Sequence, residues 1–326
     1  MFADANVAIF LLTFSKKFAI MSFNERNIYF IWRNKMREYL IGFFKDFEYE
    51  EKDAQQLLAT YDAIAANEES ATLLQNILSA YSANISLDYK AEVLNPAKKL
   101  AEIMALHPFT VSLLVFICMT KHLKSVYVKN GIDLQIYRDS VLDLKWKLEE
   151  CKIVRGICGS FVAVWFPGFF NMTRFALGRL QFELLTIGFD YEKNGVKLKK
   201  DESVVINVHI PRTGTPLDKE SCDKAYAQAR EFFKDKAGEN AAFICNSWLL
   251  YPENKNILSP RTNTYRFMSE YDIVKWNTNT GEDLWRLFDT DEKNPFRLPT
   301  DSSFRACYAE HLKNGGRVGT GIGIKI

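Results

Sequence analysis

One histidine ends a predicted strand that leads into a glycine-containing loop, and this arrangement is suited to proton transfer. His209 lies near the end of the alternating run Val204–Ile210, and the loop Pro211–Pro216 follows it. An unperturbed imidazole has a pKa near neutrality, so His209 is a candidate general base. A buried histidine that is hydrogen-bonded to a neighbouring strand would give the same pattern, and this alternative stays open.

The loop after His209 has the composition of an anion-binding turn. It ends on Thr215, a plausible N-cap, with Pro216 at the first helical position and Asp218 where a capping-box acid would lie. A strand that feeds such a loop into a helix N-terminus presents free N–H groups and a positive dipole end to a ligand. An ordinary capped helix has the same sequence pattern.

Two further groups of residues could line a cleft beside His209. Arg179, Gln181 and Glu183 share one face of a strand predicted over residues 173–186, and they would either line an acceptor cleft or form a solvated sheet face. Ser247 and Trp248 follow Cys245 in a strand predicted over residues 242–250. A nucleophilic pair of Cys245 with His209 is conceivable, but an inert buried cysteine is the favoured interpretation.

Three glycines alternate along the last predicted strand. Gly319, Gly321 and Gly323 share one face of it. Because glycine weakens a strand, such a face suggests that another backbone, a large ring or a ligand approaches closely. Tight packing against phenylalanine-rich helices is the alternative.

The elements that must position these residues divide the chain into two halves. Residues 1–20 are predicted to be an unstructured or non-native extension, residues 21–150 an all-helical domain, and residues 151–326 an α/β (α+β) domain with a mixed sheet and flanking helices. Helical three- and four-residue spacing in the first half gives way to period-two alternation in the second.

Composition limits the classes of protein to which the chain can belong. The 326 residues carry 42 Lys and Arg against 40 Asp and Glu, so the formal net charge is +2. Such a balance argues against nucleic acid as an obligatory partner, because binding it requires a concentrated basic surface. The apolar run Val111–Cys118 is far shorter than the roughly 20 residues that a membrane-spanning helix needs, so it predicts a buried helix.

Cysteine and histidine positions give no metal or disulfide pattern. The six cysteines form no C-x-x-C pair, which predicts reduced thiols and a cytoplasmic location. His107 and His122 lack carboxylate or thiol partners at ligand spacing, so they are predicted to be structural and no metal site is expected.

Four spaced segments together resemble a known family. They are Arg174–Glu183, Val208–Pro211 with Gly214 and Pro216-Leu217, Cys245–Pro252, and the glycine-rich tail. In this order they are similar to the bacterial GNAT-like acyltransferase family, whose members have a helical N-acyltransferase N-terminal domain and a GNAT-like C-terminal domain.

The resemblance implies acyl transfer from acetyl-CoA, acyl-CoA or a similar thioester carrier to a small-molecule amine or other acyl acceptor. It implies that one strand diverges from its neighbour, here residues 204–210, and that the next loop holds the pyrophosphate. His209 is then the expected base and Tyr265 the expected acid that protonates the thiolate. The residues expected to bind the cofactor are Val208, Ile210, Arg212, Thr213, Gly214 and Thr215.

A non-catalytic GNAT-like interaction module is the competing hypothesis. The loop has a single glycine, Pro216 lacks an N–H, and the acids Asp218, Glu220 and Asp223 would repel a phosphate. These features favour a module that has lost its cofactor site.

Overall fold

The computed structural model describes residues 23–278 and 284–326, so the extension predicted over residues 1–20 lies outside the described residues. The chain forms two compact units. The first comprises the described residues up to Leu123 together with Cys158–Val164, and the second comprises Lys124–Ile157 and Trp165–Ile326. The predicted domain boundary at residue 150 remains a prediction.

The first unit is helical, as the spacing of its apolar residues predicts. Its helices are α1 (Phe23–Asp46), α2 (Glu51–Ala66), α3 (Glu68–Ala83), α4 (Asn95–Ile103) and most of α5 (Pro108–Lys129), with a π-helical turn at Lys90–Leu94. Asn67 caps α3 by accepting the N–H of Ser70 at 3.0 Å. A side-chain cap of this kind satisfies one of the N–H groups that a helix N-terminus leaves without a partner.

The apolar segment predicted to be a buried helix lies inside α5. This helix is long and apolar enough to cross a membrane, but 61% of its apolar window is buried within the protein. The residues from Val111 to Met119, Ser112 excepted, are at most 1% exposed. The helix therefore serves as a core helix of the folded chain.

The second unit combines one sheet with short and long helices. Its helices are α6 (Leu134–Arg155), α7 (Pro167–Phe170), α8 (Lys219–Ala237), α9 (Asn254–Ile257), α10 (Asn263–Ser269), α11 (Leu284–Phe288) and α12 (Ser303–Lys313). Its strands are β1 (Arg174–Leu177), β2 (Leu180–Thr186), β3 (Tyr191–Lys193), β4 (Val196–Leu198), β5 (Val204–His209), β6 (Phe243–Ser247), β7 (Asp272–Thr278) and β8 (Gly319–Lys325).

Six of these strands form a mixed sheet in the order β1-β2-β5-β6-β8-β7, and β3 and β4 form a separate hairpin. Every pairing in the sheet is antiparallel except that of β5 with β6. The mixed sheet with flanking helices confirms the predicted fold class.

The strand predicted over residues 173–186 is instead a two-stranded hairpin. Gly178 and Arg179 form a two-residue turn between β1 and β2, with Gly178 at a φ of 64°. Alternation continues through both arms, so the pattern does not reveal the reversal. Arg179 consequently lies in a turn and not on a strand face.

The predicted start of α8 is also wrong. The N-cap is Asp218, whose carboxylate accepts the N–H of Ser221 at 2.9 Å, and the helix begins at Lys219. Thr215 and Pro216 therefore belong to a longer loop. The predicted strand over residues 242–250 likewise ends at Ser247, where a 3₁₀ turn, Trp248–Leu250, begins.

The glycine face of β8 is covered by backbone and rings of the same unit. A Cβ on Gly321 would lie 2.1 Å from the carbonyl oxygen of Leu250. One on Gly319 would lie 2.6 Å from the ring of Tyr251, and one on Gly323 would lie 2.8 Å from Cβ of Tyr271. The predicted close approach is thus confirmed, and it comes from the 3₁₀ turn, two tyrosines and the carbonyl oxygen of Asn277 on β7.

Candidate active site

The central feature of the site is the gap that opens between β5 and β6. The two strands pair only at Ile206 with Phe243 and at Asn207 with Ile244. Beyond Asn207, β5 remains paired with β2 and β6 remains paired with β8, but β5 and β6 no longer pair with each other. Backbone groups on the facing edges of the two strands are therefore left for a ligand.

A polar cluster occupies one face of the sheet beside this gap. Nε2 of His209 lies 2.7 Å from Oε1 of Glu183, and Nδ2 of Asn207 donates to the same oxygen at 3.1 Å. On the other side of the carboxylate, Nη2 of Arg174 donates to Oε2 at 2.9 Å. Pairing of β1 with β2 and of β2 with β5 brings these residues together.

Arg174 is held in place by the segment that precedes β1. Its guanidinium carbon lies 3.5 Å from the ring centroid of Trp165, and Nη1 donates to the carbonyl oxygen of Trp165 at 2.9 Å. Gly168 leaves room for this arrangement, since a Cβ there would lie 2.9 Å from the guanidinium carbon. The arginine is 8% exposed, so its charge is weakly screened.

The cluster keeps the histidine neutral and the carboxylate charged near pH 7. Burial lowers the pKa of His209 below its usual value, and the hydrogen bond to Glu183 opposes this shift. Burial alone would raise the pKa of Glu183, but the hydrogen bond from His209 and the charge of Arg174 lower it to about 2. A neutral imidazole next to a carboxylate can accept a proton.

Behind the cluster lies a buried carboxyl group on α6. Oδ1 of Asp143 accepts from Nε2 of Gln181 at 2.8 Å, while Oδ2 has no hydrogen-bond partner among the residues that the structure describes. Burial raises the pKa of Asp143, which is 1% exposed. Gln181 is also 1% exposed, and its amide is directed to this carboxyl group.

Arg179 holds the loop that follows His209. Its guanidinium donates to the carbonyl oxygens of Pro211 at 3.0 Å, Pro216 at 3.1 Å and Thr215 at 3.2 Å. Carbonyls that would repel an anion are thereby bound to a cation. Within the described chain, the N–H groups of Arg212 and Gly214 make no hydrogen bond, which leaves them free to donate to a ligand.

The side chains of the loop are engaged with protein groups. Nη2 of Arg212 donates to Oδ2 of Asp289 at 2.9 Å, and Asp289 also accepts from Arg305. The hydroxyls of Thr213 and Thr215 are hydrogen-bonded to each other at 2.6 Å. Gly214 has a φ of 75°, a conformation that favours glycine.

The acids at the start of α8 are each partnered. Asp218 is the N-cap, Glu220 binds Lys224 at 2.7 Å, and Asp223 binds Lys219 at 2.7 Å. These contacts offset the negative charges on which the hypothesis of a lost cofactor site was based. The cap uses the N–H of Ser221.

Other predicted site residues lie on the walls of the gap or away from it. Val208 is 1% exposed and pairs with Phe182, and Ile210 directly follows β5. Oγ of Ser247 accepts the N–H of Leu249 at 3.2 Å, which caps the 3₁₀ turn. Cys245 is fully buried and burial raises the pKa of its thiol, as expected for an inert cysteine.

Tyr265 and Trp248 pack on one apolar cluster. This cluster contains buried residues of α11 and α12, among them Leu287 and Tyr308. In the described part of the chain no contact joins Tyr265 to His209, so its role as an acid remains a prediction.

Arg174, Trp165 and Asp143 are the parts of the site that sequence reasoning missed. Arg174 opens one of the segments that carry the family resemblance, but its partner Glu183 lies nine residues away across a turn. Only the register of β1 with β2 places the two side chains opposite each other.

Among the described residues no three His, Cys, Asp or Glu side chains are grouped to hold a metal ion.

Comparison with known families assigns both halves of the chain. Residues 38–172 match the family described as the N-acyltransferase N-terminal domain, and residues 175–325 match the GNAT-like C-terminal domain. The chain belongs to the GNAT-like N-acyltransferase family. The two matches follow one another in the order that the resemblance implies, and the diverging strands lie in the second of them.

Solved acyltransferase structures resemble this protein over most of its length. An acyltransferase in complex with decanoyl-CoA aligns with a TM-score of 0.69 at 19% identity, covering 88% of this chain and 87% of that one. A mutant acyltransferase in complex with octanoyl-CoA gives 0.68, and an acyltransferase in complex with decanoyl-CoA and teicoplanin gives 0.67, both at the same identity and coverage. No curated protein matches the sequence.

Proposed function

We propose that this protein transfers an acyl group from an acyl-CoA to an amine, with His209 as the general base. The observation that carries the proposal is the gap between β5 and β6, which has a neutral histidine on one wall and a loop with free N–H groups at its end. Membership of the family and the acyl-CoA complexes of its structural relatives support the same reaction.

In this reaction the amine nitrogen forms a bond to the thioester carbonyl carbon, and the carbon–sulfur bond breaks. His209 accepts the proton that the amine loses, the coenzyme A sulfur leaves as a thiolate, and the imidazolium then gives up that proton, so that the sulfur ends as a thiol. Backbone N–H groups on the facing edges of β5 and β6 are the donors available to the carbonyl oxygen as charge develops on it. Arg212, Gly214 and the loop held by Arg179 would hold the phosphates.

Calorimetric titration with acetyl-, octanoyl- and decanoyl-CoA tests the binding half of the proposal, and free coenzyme A serves as the reference ligand. Gly214→Asp places a carboxylate among the free N–H groups, and Gly214→Asn is its neutral control, because both side chains tolerate a positive φ. We expect binding of at least one acyl-CoA, weakened at least tenfold by Asp and less by Asn. No binding of any of these ligands would overturn the proposal.

Release of the coenzyme A thiol in the presence of a panel of amines tests the catalytic half. We expect thiol release that requires both the acyl-CoA and an amine. Binding without such release by any amine would instead favour the interaction module.

We also infer that the protein works in a reducing compartment, in accordance with the predicted cytoplasmic location. Five of the six cysteines are buried, and the described chain contains no disulfide. Labelling of the thiols after cell lysis under non-reducing conditions would test this inference.

A further inference from the structure

We propose that Glu183 is a positioning residue that holds the proton of His209 on Nε2 and leaves Nδ1 as the proton acceptor. The sequence alone suggested that Glu183 lines a substrate cleft. Its contacts in the folded chain assign it to the histidine instead. The catalytic consequence rests on the proposed function, whereas the placement of the proton can be tested without it.

The hydrogen bonds around Glu183 fix the position of the proton. An ionised carboxylate can only accept, and Oε1 lies 2.7 Å from Nε2 of His209, so Nε2 must donate. Nδ2 of Asn207 lies 3.1 Å from Nε2 and 3.1 Å from Oε1. It therefore donates to the carboxylate oxygen, since a protonated Nε2 cannot accept. All three groups are satisfied only when Nδ1 carries the lone pair.

The ionised state of Glu183 is secured from its other side. Nη2 of Arg174 donates to Oε2 at 2.9 Å, and the side chains of this pair are only 10% and 20% exposed. Arg174 in turn is stacked on Trp165 and hydrogen-bonded to its carbonyl oxygen. This series of contacts, from Trp165 through Arg174 and Glu183 to His209, thus orients the imidazole ring and selects its tautomer.

Three charged or titratable groups face His209 from the elements around it. Glu183 on β2 raises its pKa through the hydrogen bond, Arg174 on β1 lowers it through its positive charge, and Asp143 on α6 raises it. Burial is the largest influence and keeps the ring neutral. The carboxylate of Glu183 therefore orients the base without holding it protonated.

Nitrogen NMR of protein labelled with ¹⁵N-histidine reads the tautomer directly. The signals of His209 are assigned by their loss in His209→Gln. At pH 7.5 we expect Nε2 to be protonated and Nδ1 to be unprotonated in the wild type. An Nδ1–H form in the wild type would overturn the proposal, whatever the activity of the protein.

Glu183→Gln is the isosteric variant that tests the direction of control. Arg174 can only donate, so it keeps the amide oxygen on its side and turns the NH₂ group towards Nε2, which must then accept. We expect the proton of His209 to move to Nδ1. Glu192→Gln, which removes an exposed carboxylate paired with Lys197, is the matched control and leaves the tautomer unchanged.

Kinetics then separate positioning from substrate binding. In Glu183→Gln we expect kcat to fall by about 10² to 10⁴ while KM for acyl-CoA and amine changes by less than about threefold. A raised KM for the amine with unchanged kcat would show that Glu183 binds substrate and would overturn the proposal. An unchanged tautomer in Glu183→Gln would overturn it as well.

Discussion

At the scale of single residues, the site depends on how a few buried charges share their protons. His209 is neutral because the ring is buried, and Glu183 is ionised because Arg174 and the imidazole bind it. Sequence reasoning identified both residues from the alternation of β2 and β5. It could not pair them, because their contact depends on which residues of the two strands lie opposite each other.

The pH dependence of the reaction follows from the lowered pKa of His209. His209 can serve as the proposed base only when it is neutral, so kcat/KM should fall as the pH drops through this pKa, and we expect the midpoint of the acidic limb below the ordinary value of 6.5. His209→Gln should lower kcat/KM by about 10² to 10⁴ and abolish this limb.

His311→Gln is the matched control for the pH profile. His311 lies on α12, and its Nε2 is hydrogen-bonded to the carbonyl group of Arg317. This variant should keep both the limb and the rate. An acidic limb that persists in His209→Gln after correction for protonation of the amine itself would show that another group of the enzyme is the base.

The buried carboxyl group of Asp143 makes stability depend on pH. Its pKa is raised in the folded chain, so its contribution to stability is complete below its ordinary value of 3.8 and is lost as the pH rises through the raised value. Asparagine cannot ionise. We therefore expect the thermal unfolding midpoint of Asp143→Asn, measured relative to that of the wild type, to increase as the pH is raised from about 4 to about 8.

Asp201→Asn provides the control for this prediction. Asp201 is exposed and has a φ of 58°, which asparagine tolerates, so its difference from wild type should not change with pH. If the unfolding midpoint of Asp143→Asn also differed from that of the wild type by the same amount at every pH, Asp143 would be ionised in the folded protein.

At the scale of elements, the diverging strands and the loop were predictable, but their boundaries were not. The run Val204–Ile210 and the loop after it were recognised from alternation and glycine content. Thr215 and Asp218 are both good N-cap residues, and only the folded loop shows that Asp218 caps α8. The turn at Gly178 was missed because alternation has the same appearance on both arms of a hairpin.

Arg179 joins the β1–β2 turn to the loop, and its loss should affect cofactor binding more than chemistry. In Arg179→Met the carbonyls of Pro211, Thr215 and Pro216 lose their donor and are free to turn towards the phosphates. We expect KM for acyl-CoA to rise about tenfold or more, because hydrogen bonds to charged groups contribute about 1.5–3 kcal/mol each. The change in kcat should be small.

Arg297→Met is the control for the loss of an arginine. Its side chain is 74% exposed, and the carboxylate of Glu292 is 4.0 Å away. Steady-state kinetics with varied acyl-CoA should give wild-type values for this control. An unchanged KM in Arg179→Met would show that the loop keeps its shape without the guanidinium.

The glycine face of β8 should be intolerant of even one methyl group. In Gly321→Ala the new Cβ meets the carbonyl oxygen of Leu250 at 2.1 Å, so the strand or the 3₁₀ turn must move. Overpacking of this kind typically costs about 1–3 kcal/mol. Thermal denaturation should show a midpoint lowered by several degrees.

Gly188→Ala is the matched substitution in open space, since no atom of the described residues, apart from Gly188 and its two chain neighbours, lies within 4 Å of the added Cβ. We expect it to unfold at the wild-type temperature. Equal unfolding midpoints for Gly321→Ala and Gly188→Ala would show that the 3₁₀ turn moves to accommodate the methyl group without loss of stability.

At the scale of the whole molecule, charge balance affects how an anionic substrate is held. The formal net charge is +2, and the donors free for a phosphate include the backbone N–H groups of Arg212 and Gly214. We therefore expect the dissociation constant of acyl-CoA to change by less than about tenfold between 50 and 500 mM salt, because short hydrogen bonds are screened less than distant charges. A steeper dependence in calorimetry would indicate a basic surface as the main contact.

The guanidinium of Arg179 has one further consequence, which concerns entropy. Three carbonyls of the loop are already bound before any ligand arrives. The backbone freedom of this segment is lost when the chain folds and not when acyl-CoA binds. A preorganised loop of this kind gives association without an ordering step, so complex formation should follow a single exponential whose rate rises linearly with ligand concentration.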